Sequence, residues 1–108
     1  MSEKNIKEYQ KLVRDKIPEI IRSSGKFCET RVLTDEEFAE ALKAKLVEEA
    51  NEFAQSGNPE ELADLYEVVK YLLVINNWNF EQIANIADKK AQERGAFEQK
   101  IFLEKSEV

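Results

Sequence analysis

Histidine is absent from this sequence and cysteine occurs once, at Cys28. That scarcity argues against a zinc site, so any metal must be held by oxygen, which points to Mg²⁺ or Mn²⁺. A lone cysteine also excludes an intrachain disulfide, and Cys28 reads as a small hydrophobe in a strand or core. No apolar run approaches the ~20 residues needed to span a bilayer. The opening MSEKNIKEYQK lacks the apolar segment of a signal peptide, so a cytoplasmic location is expected. Net positive charge is missing too. At a formal charge of -6 the phosphate backbone of a nucleic acid is not an expected partner, nor, without a spanning run, is a membrane, although a local basic patch could hold a small phosphorylated ligand.

What is present is a chain of 108 residues, 43% hydrophobic and 35% charged, suited to a single helical domain spanning residues 1–108. The first ten residues read as a polar arm. Pro18 suits the first turn of a short helix carrying Ile17, Ile20 and Ile21, which Ser23, Ser24 and Gly25 end. The alternating stretch Phe27 to Leu33 predicts a short strand, with Lys100 to Leu103 as its partner. Thr34 and Glu37 form a capping box that opens a second helix, with Phe38, Leu42, Leu46, Ala50 and Phe53 along one stripe to about Ala54.

Asn58 and Pro59 open a third helix that is apolar around most of its circumference, from Leu62 to Ile75, as expected in the middle of a bundle or at a subunit interface. Asn79 with Gln82 opens a fourth, which Gly95 ends. The expected fold is all-α and four-helix bundle-like around a helical hairpin, with the strand pair as an accessory. The breadth of the apolar face on the third helix predicts a homo-oligomer, a dimer or a dimer of dimers.

The stretch Lys45 to Leu73 concentrates the chemistry. If its two helices pack antiparallel about the turn at Ser56 and Gly57, Glu52 mirrors Glu61 and Glu49 mirrors Asp64. Carboxylates at i and i+3 share one side of a helix, so the two pairs converge into a four-carboxylate cage. Like charges this close repel, and a hard cation resolves the repulsion. Glu49 projects inside the apolar stripe, where an acid is costly unless paired or ligating. Glu61 has a second reading as the partner of Asn58 in a capping box.

Glu48-Glu49-x-x-Glu52 followed by Glu61-x-x-Asp64 resembles the signature of the all-α nucleoside triphosphate pyrophosphohydrolases, the MazG-like superfamily that also holds phosphoribosyl-ATP pyrophosphohydrolase and the dimeric dUTPases. Lys11-Leu-Val-Arg14-Asp15-Lys16-Ile-Pro18 near the start, and Lys90-x-x-x-Arg94-Gly95-x-Phe97 with Lys100-Ile-Phe-Leu103 near the end, resemble its small house-cleaning branch. The resemblance runs from about Tyr9 to Leu103; the stretch between Glu52 and Glu61 is shorter than in many members.

The resemblance implies hydrolysis of a nucleoside triphosphate, non-standard ones included, to a monophosphate and pyrophosphate. It makes Glu49, Glu52, Glu61 and Asp64 the ligands of Mg²⁺, or alternatively Mn²⁺. Glu48 is the candidate general base, or else a solvated surface acid. Arg14, Lys16, Lys90 and Arg94 are the candidate phosphate-binding cations, the last two also being placed to compensate a helix dipole. Tyr71, Trp78 and Phe80 either stack on a nucleobase or belong to the core or interface. The alternative functions are the same chemistry on phosphoribosyl-ATP, and a non-catalytic helical dimerisation or binding module.

Overall fold

Local chemistry sets where the helices begin and end. In the computed structural model, which describes residues 5–108, α1 covers Ile17–Ser23, α2 Asp35–Ser56, α3 Pro59–Ile75 and α4 Phe80–Arg94. At the start of α2 the Thr34 hydroxyl accepts from the Glu37 N–H at 3.2 Å, and the Glu37 carboxylate accepts from the Thr34 N–H at 3.0 Å. The same reciprocal pair joins Asn79 and Gln82 before α4. Each satisfies two donors that a helix start leaves unpaired. Gly57 ends α2 in the left-handed region, at φ 65°, and Asn58 then caps α3, so the chain reverses within two residues.

The fold is all-α, and its centre is the α2–α3 hairpin. Leu42 on α2 and Val68 and Leu73 on α3 are its buried apolar residues. Phe38, Leu46 and Phe53 lie half-buried along the predicted stripe, whereas Ala50 is exposed. Among the described residues no other pair of helices packs to a comparable extent. The chain is accordingly elongated, 67 × 32 × 28 Å. One link between α3 and α4 is aromatic: Tyr66 and Phe80 stack with ring centroids 5.5 Å apart.

The strand pair expected at Phe27 to Leu33 and Lys100 to Leu103 does not form; no strand occurs among the described residues. Both segments are irregular, and Val32 and Phe102 are almost fully exposed. A two-stranded ribbon with no covering face is marginal in water. Other partners take over the first segment. The Arg22 guanidinium donates to the Cys28 carbonyl at 3.1 Å, and the Arg31 guanidinium forks onto Glu37 at 3.0 and 3.1 Å. Arg31, with the Thr34 N–H, draws the Glu37 carboxyl down to about 2. The polar arm expected over the first ten residues lies partly outside the described residues.

No helix among the described residues is long and apolar enough to cross a membrane.

Candidate metal centre

Three acids meet where the hairpin helices face each other. Glu49 from α2 and Glu61 and Asp64 from α3 each present a carboxylate oxygen within 4.8 Å of the other two. A second group at the same limit joins Glu48, Glu49 and Glu52 along α2. The expected four-acid cage is therefore two overlapping triads that share Glu49, with Glu52 placed beside Glu48 and Glu49 rather than with Glu61 and Asp64.

Glu49 is the residue around which the rest is arranged. It is 5% exposed, the buried charged residue of the hairpin. One oxygen lies 3.3 Å from Lys45 Nζ, and the other, Oε2, is buried without a hydrogen-bond partner. An ionised oxygen left unpaired in a buried site costs more than a missing neutral hydrogen bond. Burial pushes the Glu49 carboxyl above the ordinary carboxylate range; the neighbouring Glu52 adds to the rise, and Lys45 opposes it. An orphaned buried oxygen among hard carboxylate donors, with neither histidine nor thiolate nearby, fits Mg²⁺ or Mn²⁺.

Glu48 has a different environment. Burial acts to raise its pKa too, but Lys11 at 3.2 Å and Lys45 at 3.5 Å prevail and hold it below the ordinary value. Glu48 is thus kept as an anion, which favours charge neutralisation over proton uptake. Glu61 is half-buried, and its side chain does not close a capping box; Asn58 accepts from the Glu60 N–H instead, at 3.1 Å. The capping explanation for Glu61 therefore fails, and its carboxylate is left to the cluster.

The predicted cations divide. Arg14 donates to Asp64 Oδ1 at 2.8 Å, which places it on the cluster. Lys16 is the exposed N-cap of α1. Lys90 and Arg94 stand on α4, where they line a shallow surface hollow with Phe97. That hollow includes none of the acids, and neither cation pairs with them among the described residues. Lys11 and Lys45 join the cluster without having been singled out. Lys45 to Glu49 is an i, i+4 pair that helical spacing reveals, whereas Lys11 and Glu48 lie 37 residues apart. Phe80 is occupied by Tyr66, while Tyr71 and Trp78 are about half exposed.

The shifts of Glu49 and Glu48 act in opposite directions on stability. Glu49 binds its proton more tightly in the fold, so in the ion-free protein its charge opposes folding at neutral pH, and the penalty fades as pH falls through its raised pKa. Glu48 contributes stability above the ordinary carboxylate pKa and loses it as pH falls through its lowered one. A divalent ion held by Glu49 would compete with protons there, so Mn²⁺ affinity measured by calorimetry should fall as pH is lowered toward and through the raised pKa of Glu49.

No family model matches this chain, and no solved structure matches it. It is similar to an uncharacterized protein of Mycolicibacterium smegmatis, 56% identical over 41 residues, which amount to 38% of this chain. Those residues span 42% of the relative's length.

Proposed function

We propose that this chain is a divalent-ion-dependent pyrophosphohydrolase of nucleoside triphosphates, non-standard ones included, which cleaves with water between the α and β phosphates to give a monophosphate and pyrophosphate. The observation that carries the reading is the buried, unpartnered Glu49 oxygen in a cluster of acids contributed by two helices. A solvated acidic face, as a mere binding module would have, does not require such an oxygen.

In this reading Glu49, Glu61 and Asp64 hold Mg²⁺, with Glu52 at the edge of the group. When bound, the ion supplies positive charge to phosphate oxygens and acidifies water. The chain's own groups do the rest. Lys45 offsets the rise in the Glu49 pKa and so favours the ligating anion. Glu48 anchors Lys11 and Lys45 at the edge of the site, and a base role for it requires at least one of them to move away. Arg14, bonded to Asp64, is the predicted phosphate-binding cation that lies on the cluster itself.

The chain is further read as a homo-oligomer. Tyr66, Val74, Trp78, Ile86, Phe97 and Phe102 are each more than half exposed, apolar side chains that a subunit interface would cover. Sedimentation at micromolar concentration should show a dimer or larger species, and a monomer would contradict this part of the reading. Within one chain Lys90 and Arg94 stay apart from the acids, so their role in binding phosphate depends on that assembly.

The test is a panel of standard and modified nucleoside triphosphates, with phosphoribosyl-ATP included, incubated with and without Mg²⁺. Monophosphate and pyrophosphate in equal amounts, formed only with the ion, are expected. Release of inorganic phosphate, or no turnover of any member, would refute the assignment.

A further inference from the structure

The segment ahead of α1 crosses the acidic cluster and touches both helices of the hairpin. Lys11 Nζ lies 3.2 Å from Glu48 on α2, and Arg14 Nη2 lies 2.8 Å from Asp64 Oδ1 on α3. Lys11 is also 5.7 Å from the centre of the Tyr9 ring, a cation–π distance. Between those two residues Gln10 adopts φ 46°, a left-handed conformation that folds the segment back on itself. The segment is thus tied to the hairpin by two ion pairs, with the half-buried Leu12 between them.

We propose that Lys11 and Arg14 form a latch that stands in for the divalent ion and is released by it. The inference rests on the reading of Glu49, Glu61 and Asp64 as an ion site. Asp64 is the point of conflict, because it belongs to the triad and also accepts from Arg14. A guanidinium and a divalent cation on one carboxylate repel each other, so binding of the ion weakens the Arg14 contact. With Arg14 released, Lys11 is the segment's remaining ionic tie to the hairpin, through a pair that is partly exposed and therefore weak. Ion binding in this way frees the Arg14 guanidinium beside the site, next to the weakly held Lys11, where an anionic ligand can recruit them. Arg14 acts as a competitor for Asp64, not as a support that positions it.

Arg14→Gln and the double variant Lys11→Gln/Arg14→Gln, compared with the wild type in Mn²⁺ titrations followed by electron paramagnetic resonance, separate the two roles. Competition predicts affinity tighter by about twofold to fivefold for Arg14→Gln, the range an exposed ion pair can supply, and tighter again for the double variant. A positioning role predicts weaker binding, and that result, or no change, would overturn the latch. In the wild type, backbone ¹⁵N relaxation should show residues 9–14 becoming more mobile when Mg²⁺ is added; unchanged or reduced mobility would also overturn it. Neither measurement involves hydrolysis. Tighter Mn²⁺ binding by Arg14→Gln in a protein that turns over no triphosphate would uphold the latch and refute the hydrolase reading, whereas absence of any Mn²⁺ site in the wild type would refute both.

Discussion

Glu49→Gln is expected to lower Mg²⁺-dependent pyrophosphate release by at least roughly a hundredfold, the scale of loss when a metal ligand or its support is removed. The same substitution should make the ion-free protein more stable, by about 1 kcal/mol, because it removes a buried charge with an unpaired oxygen and gives the site an amide donor that neighbouring carboxylates can accept. Loss of the Lys45 contact at 3.3 Å offsets part of that gain. The opposite signs are the informative feature. A residue kept for packing or solubility would not impair turnover while strengthening the fold, but a site built to meet a cation is under strain without one. Thermal unfolding with and without Mg²⁺ reads the stability half: the wild type should gain stability from the ion and the variant should not.

Leu42→Ala should cost the largest amount of stability of any single truncation, about 2 to 5 kcal/mol in urea unfolding. Leu42 is 3% exposed and, among the described residues, is buried with only Val68 and Leu73 as fellow apolar side chains, so little surrounding structure can close the cavity. Against a typical stability of roughly 5 to 15 kcal/mol, that is a sizeable share of the whole. Leu42 lies two helical turns before Glu49 on the same face of α2. Loosening the seam there should also weaken ion binding, through the placement of α2 against Glu61 and Asp64. Val32→Ala is the control: Val32 is 96% exposed in an irregular segment, and its truncation should change stability by less than about 0.5 kcal/mol.

Helix ends were legible in the residues because capping is local. Thr34 with Glu37 and Asn79 with Gln82 each close a box within four residues, and Gly57 and Gly95 stop helices by the same short-range logic. The antiparallel hairpin followed from the short turn, and with it the meeting of Glu49, Glu61 and Asp64. Asn58 with Glu61 fits the capping pattern as well as the other pairs do, yet Asn58 bonds to the Glu60 N–H; residue type alone does not decide which donor a cap selects. The strand pair is absent among the described residues because alternation measures fitness for a sheet, while forming one depends on a partner and a covered face that lie far away in the chain. Ile83 and Ile86 recur at helical spacing on α4 without saying what covers them, and Ile86 is 55% exposed. Arg14 and Asp64 lie 50 residues apart, beyond the reach of any local pattern.

The most direct test of the account is whether the buried carboxylate serves a divalent ion. Mn²⁺ binding should be measured at neutral pH for the wild type, Glu49→Gln and the exposed control Glu36→Gln. One saturable class of site is expected in the wild type and in Glu36→Gln, and its loss in Glu49→Gln. Equal binding by all three proteins, or weak unsaturable binding throughout, would contradict it.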